Sequence, residues 1–379
     1  FDACSTGTCS DGICRYPSAV CVPRPIGVEG RLNLGSLLAD FTEEPNASVD
    51  VLAKAGDLAK VDAGVSVGLR AGFEPNAFAE CVPVDPTRRP SSAAIPLSPV
   101  INADRDPDNQ PFHLGIGVHK VAIEHMLWST WASGAACLKV GSETVMLLST
   151  GTFQLVAPSL KDIGPSGRTA SLVVVPQKPP VVELGANTIT QVNGSYVISD
   201  PLMILKWPDL DFHVFGYAQE RMVRLFSIRV DLELPVALSP DGSGNLIPVV
   251  GAIEDAIRNI RPRRTELIAE GPQRILDLVP TLIGFAAPQL AGAIPESIAI
   301  PEFLGFRLDL QQGDIRGADA NNFLAAFATL ARTTQPFNQA VDTYVSQVQL
   351  DMTQRSLSGL VQPRVDFHAG GLRMDLAPI

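Results

Sequence analysis

Charge is scarce in this sequence. Of 379 residues only 18% are Asp, Glu, Lys or Arg, while 46% are apolar and the mean hydropathy is +0.18. Intrinsic disorder requires the reverse balance, so a disordered chain is excluded. Basic residues are the scarcer sign, 29 against 40 acidic ones, which leaves a formal charge of −11 at pH 7. Nucleic-acid binding draws on a basic face that releases counterions, so nucleic acid is not an expected partner. Other enzyme signatures are missing too: there is no H-E-x-x-H or G-x-x-x-x-G-K, the G-x-S-x-G spacing of Gly64 to Gly68 falls inside a strand-like alternation, and Gly115-Ile116-Gly117 lacks the third glycine of a dinucleotide fingerprint. No catalytic residue, enzymatic activity or cofactor is therefore expected. Residues 278–295 form an uncharged run of 18, the lower limit for a membrane-spanning helix. Pro280, Gly284, Pro288, Gly292 and Pro295 interrupt that run, so a buried segment is expected instead. A chain this apolar has either a very large core or a surface meant to hold something greasy.

Six cysteines are present, and Cys4, Cys9, Cys14 and Cys21 fall within 18 residues. No C-x-x-C pair and no nearby histidine exists, which argues against zinc. An even number in a turn-rich segment fits two disulfides and an oxidising compartment, leaving Cys81 and Cys137 to pair with each other. The chain opens Phe1-Asp2-Ala3-Cys4 without Met, as expected of a processed exported protein, secreted or periplasmic and associated with the outer envelope. Lipidation of Cys4 is disfavoured, because Phe1-Asp2-Ala3 is a poor lipobox.

The length suggests two to three domains. Residues 1–26 form the cysteine-rich module, and 27–111 read as a β-rich segment. In the latter, Val61 to Phe73 alternate apolar and polar residues at the period of a half-buried strand. A polar, proline-rich stretch from Asp85 to Pro111 marks a boundary. FHLGIGVHK then reads as a strand, and 119–133 as a helix that is apolar almost all round and stopped by Gly134. Strands are expected at 144–148, 171–176, 181–184, 195–207 and 212–217. The longest, 222–234, carries Met222, Phe226, Ile228, Val230, Leu232 and Leu234 on one face and Ser227, Arg229, Asp231 and Glu233 on the other. After a turn at 239–245 and a strand at 246–250, a second helical region spans 272–293, kinked at Pro280 and Pro288. Strands at 303–310, 322–331, 343–352 and 364–376 complete the chain. Long antiparallel strands with one polar face suggest a single sheet curled around something.

Three passages carry a resemblance to a known family. FHLGIGVHKVAIEHMLWSTWASGAACLKV is similar to a strand, helix and Gly-terminated turn. SLVVVPQKPPVVEL resembles a strand with a Pro-Pro step. VPTLIGFAAPQLAGAIPESIAIPEFLGFRLDLQQGDIRGADANNFLAAFATLA looks like a closing helix, an "IP…GF" step and a final hairpin. In this order they resemble the lipid-binding unit of the family of bactericidal/permeability-increasing protein, lipopolysaccharide-binding protein and cholesteryl ester transfer protein, within the tubular lipid-binding superfamily.

The resemblance covers residues 112–332. It implies an α+β fold, a long and highly curved antiparallel β-sheet wrapped around a long helix, with extra β-rich N- and C-terminal segments; residues 333–379 are the C-terminal extension. It also implies an apolar tunnel for lipid acyl chains, with Met126, Leu127, Trp131, Phe226, Ile228, Val230, Leu232, Ile275, Leu278, Leu282 and Phe285 as lipid-contacting residues, and no catalytic group. The expected function is extracytoplasmic lipid binding or transfer; the alternative is a structural subunit of an envelope assembly. A lipid or fatty acyl ligand, a membrane surface and an envelope protein are the candidate partners. The negative charge disfavours a strongly anionic lipid such as lipopolysaccharide.

Other polar groups have plainer readings. His119 and His125 lie six apart, about 240° round a helix, and do not converge on a metal. Asp104, Asp106 and Asp108 lack the Gly and Glu of a calcium loop, since Asn109 and Gly115 stand there. Arg258, Arg261, Arg263, Arg264 and Arg274 read as a solvated charged loop, or as contacts for lipid phosphates. Trp128, Trp131 and Trp207 suit a core or a tunnel equally.

Overall fold

The computed structural model of the chain describes residues 8–10, 13–16, 19–20, 27–37, 39, 41–55, 60–61, 65–66, 68–85, 89–90, 101, 103, 105–143, 148–242, 244–265, 267–271, 273–274, 296–300, 306–332, 361–368 and 371–378. Cys4, Cys21, Asp104, Ile275, Leu278, Leu282, Phe285 and the expected strand at 343–352 lie outside the described residues. So does nearly all of the second helical region.

An N-terminal ribbon of short strands sets the Cys9 backbone directly across from that of Cys14. Strands β1 (Gly27–Asn33), β2 (Ser48–Ala55) and β3 (Leu69–Pro75) form a three-stranded antiparallel sheet. Strand β4 (Leu114–His119) leads directly into helix α1 (Lys120–Ala132). The helix bounds are set by its caps. His119 is extended and its Nδ1 accepts from Val121 N at 3.2 Å, whereas Gly134 takes φ +77°, a left-handed value that suits glycine after a helix.

Strand β5 (Leu138–Gly141), helix α2 (Thr150–Val156), a 3-10 turn (Pro158–Asp162), β6 (Ala170–Pro176) and β7 (Val181–Leu184) come next. Two long strands dominate the main sheet: β8 (Met203–Ala218), 16 residues, and β9 (Arg221–Pro240), 20 residues. Their two-residue turn, Gln219-Glu220, has φ of 48° and 61°, the positive values that match the twist of a tight hairpin. Strands β10 (Asn245–Val250) and β11 (Ile257–Arg264) flank β9. The resulting sheet has eight strands, and its main path β5-β6-β8-β9-β10 ends on a short strand, Ile298–Ala299. All its pairings are antiparallel and it curls into a half-barrel. Strands β12 (Phe306–Asp309) and β13 (Ile315–Ala318) pair with β14 (Phe323–Arg332), which also pairs with β4. The strongly curved antiparallel sheet is the one the sequence led us to expect for an α+β chain, and the chain is mostly β with a few helices.

Two differences have clear causes. The sequence breaks the strand at Pro208-Asp209, yet β8 runs through; a register shift between Trp207 and Leu210 and φ +56° at Asp209 absorb the missing N–H of Pro208. Residues 258–264 form edge strand β11, not a loop, because Ile257 and Ile260 pack into the sheet's core while arginines alternate with them.

The hairpin β8–β9 separates its chemistry by face. Phe212, Val214, Phe226, Ile228 and Val230 belong to or pack on one apolar cluster, covered by Phe153 of α2 and by Leu160. On the other face His213 pairs with Ser227 and Asp211 with Arg229. Cys81 and Cys137 form a disulfide with Cα atoms 6.5 Å apart, as expected from the cysteine count, and it joins the segment after β3 to the turn after α1.

Candidate functional site

A partly uncovered apolar surface lies where β4 meets α1. In β4, Leu114, Ile116 and Val118 remain 37%, 48% and 38% exposed and alternate with Gly115 and Gly117. The glycines allow close packing on the opposite face. A Cβ at Gly117 would lie 1.7 Å from Ile101 Cδ1, and one at Gly115 would lie 2.9 Å from the Phe112 ring. This side of the strand is sealed by Phe112, Phe323 and Phe327, so its larger apolar side chains are left on the open side.

Helix α1 follows β4 directly in the chain and is likewise incompletely covered. Val121, Ala122, Ile123, Met126 and Leu127 are only half-buried, whereas Trp128, Trp131 and Ala132 in its last turn are buried. Trp131 donates its indole N–H to Pro176 O at 2.9 Å, and with Trp128, Ala79, Val82 and Cys137 it forms a dry cluster. Phe78, 55% exposed, stands edge-on to Trp128.

A polar cluster borders this helix. Arg89 Nε donates to His125 Nε2 at 2.6 Å, and Arg89 Nη2 donates to Glu74 Oε2 at 2.6 Å and to Phe73 O at 3.3 Å. The same guanidinium lies 5.4 Å from the Trp128 ring centroid. Beside it, Phe73, Arg89 and the Arg31–Asp50 ion pair line an open cleft of about 590 Å³. Burial holds the His125 imidazole below its ordinary pKa, the nearby Arg89 charge acts the same way, and Glu74 opposes both. His119 and His213 are also lowered, again chiefly by burial.

A lowered histidine favours the neutral form in the folded state. Its contribution is complete above about pH 6.5, the ordinary histidine value, and is lost as pH falls through the lower folded value. Thermal melts from pH 8 to pH 5 are therefore expected to show Tm falling below about 6.5, with His125→Asn reducing that slope. A flat Tm across this range, or an unchanged slope in the variant, contradicts the assignment.

The described members of the lipid-contact set named from sequence fall in two clusters and along α1. Met126 and Leu127 lie on the half-open turns of α1, and Trp131 lies at its closed end. Phe226, Ile228 and Val230, at 1–2% exposure, lie in the sheet core with Leu232 packed against it. Trp207 packs against both clusters and bridges them. Leu114, Ile116 and Val118 were not singled out by sequence reasoning. Their signal is the alternation L-G-I-G-V, in which glycine marks the packed face. Asp106 Oδ1 accepts from Gln110 N at 2.6 Å and fixes its own turn, whereas Asp108 pairs with Arg316 and ties that turn to β13.

No protein-family model and no curated protein matches the chain. Among solved structures, the crystal structure of lipopolysaccharide binding protein is similar at 11% identity and a TM-score of 0.34, over 77% of this chain and 57% of that one. The chain thus spans little more than half the length of that structure.

Proposed function

We propose that the chain binds lipid outside the cytoplasm, holding acyl chains against the open faces of β4 and α1. The observation that carries this reading is an apolar helix left half-covered beside three outward apolar side chains of an edge strand. Apolar side chains left open on two adjoining elements support a ligand or partner site. A lipid fits because the surface offers dry contact without a dedicated set of ligand-binding charges. The Cys81–Cys137 disulfide agrees with an oxidising compartment. Among the described residues no helix is long and apolar enough to cross a membrane. The division at 26, 111 and 332 is part of this reading, with the lipid held by 112–332.

Native mass spectrometry of protein purified without detergent tests it. A lipid-sized adduct is expected, and Ile116→Glu combined with Met126→Glu is expected to remove it while circular dichroism stays unchanged. Absence of any adduct from protein reloaded with phospholipid would sink the proposal. A protein that instead elutes as a stable assembly, with β4 and α1 protected at its interface, would support the structural-subunit alternative.

A further inference from the structure

One end of the curled sheet combines arginines with exposed apolar side chains. At the β8–β9 turn, Ala218 pairs with Arg221 and Tyr217 with Met222, and Met222 is 45% exposed. Arg168 sits 5.7 Å from the Tyr217 ring centroid. Arg224 lies further along β9, and Ser227 pairs with Arg264, which brings the end of edge strand β11 to the same place. Helix α2 packs there too: Thr150 and Gln154 share a small cavity with Tyr217 and Ala218. The next residue, Leu155, is 80% exposed. Leu267, 46% exposed, lies two residues before Ala269, whose N–H donates at 3.0 Å to Ser159 just beyond α2.

The charges at this end are unequal. Among the described residues Arg221, Arg224 and Arg263 take part in no ion pair, while Arg261 farther along β11 is held by Asp209 and Asp231 at 2.9 and 3.0 Å. The carboxylates described at this end include Glu143, Asp162, Glu220 and Glu270, and Glu270 is engaged by Ser159 N at 2.8 Å. Arginine on an edge strand discourages strand addition, which accounts for Arg263 but not for Leu155 or Met222. The chain's charge of −11 does not cancel the patch, because salt screens charges beyond about 8 Å.

We propose that this end of the sheet docks on an anionic membrane surface. The arginines lie at the level of lipid phosphates, and Leu155, Met222 and Leu267 enter the apolar boundary. This deepens the lipid-binding reading by placing the bilayer contact away from the β4–α1 surface. Co-sedimentation of the full chain with phosphatidylcholine vesicles, with and without phosphatidylglycerol, tests it. Binding is expected only with phosphatidylglycerol and is expected to weaken with salt. Arg221→Ser, Arg224→Ser and Arg263→Ser should each weaken it roughly fivefold, and together about a hundredfold. Leu155→Ser with Met222→Ser should weaken it without altering the salt slope. No partition onto phosphatidylglycerol vesicles, or full binding by the triple arginine variant, overturns the proposal; so does binding to an acidic protein but not to vesicles. Retained lipid in native mass spectrometry without vesicle binding removes the docking surface alone. Vesicle binding without retained lipid removes the ligand reading alone.

Discussion

Asp211→Ala is expected to lower the unfolding free energy by about 3 kcal/mol. Arg229 donates Nε and Nη2 to the two oxygens of Asp211, both at 2.6 Å, with side chains only 17% and 10% exposed. Removing one partner leaves a guanidinium on a covered sheet face, where water cannot fully replace the lost carboxylate. The nearest other acid, Asp209, is 3.9 Å from Arg229 Nη1 and is already held by Lys178 at 2.6 Å and Arg261 at 2.9 Å. It can compensate only in part. The double variant Asp211→Leu with Arg229→Met is expected to recover most of the loss, because it removes both charges together and keeps the volume filled. Urea unfolding of the two single variants and the double variant measures this coupling. A cost below about 1 kcal/mol for Asp211→Ala would mean that the pair behaves as an exposed one.

This network also marks the limit of what the sequence could show. Alternation along 222–234 identified the polar face, including Arg229 and Asp231, because a strand's period is local information. Their partners were not legible. Asp211 and Asp209 lie across the hairpin, and a one-residue error at the register shift after Trp207 would reverse every pairing. Helix α1 was legible nearly to its ends, since an apolar run and Gly134 both act within a few residues, although the His119 cap was not. Cys81–Cys137 emerged from counting. Helix α2 had no comparable signal: T-G-T-F-Q-L-V lacks helical periodicity, and Ser149 caps it only once Phe153 has a core to enter. The apolar surface of β4 was half legible. The strand was read correctly, but which face would be covered depends on Phe323 and Phe327, more than 200 residues on in β14, and on Ile101 folding back from the preceding loop.

The same contrast between local and distant information bears on where a lipid would sit, and Phe226 decides it. Phe226→Ala is expected to cost about 3–5 kcal/mol, the range for truncating a fully buried aromatic ring. Its ring is 1% exposed and meets Phe153 edge-on at 6.2 Å, with Leu160, Ile228 and Val214 in the same cluster. A filled core can relax only partly around the void, so the full cavity penalty applies. A ring lining a lipid tunnel would behave otherwise, because the ligand or water would occupy the vacated space and the cost would be nearer the transfer term of about 2 kcal/mol. Urea unfolding paired with native mass spectrometry separates the two. Large destabilisation with the adduct kept places the lipid against β4 and α1. A small cost with a lost or altered adduct places it against the concave sheet, and makes Phe226, Ile228 and Val230 its contacts.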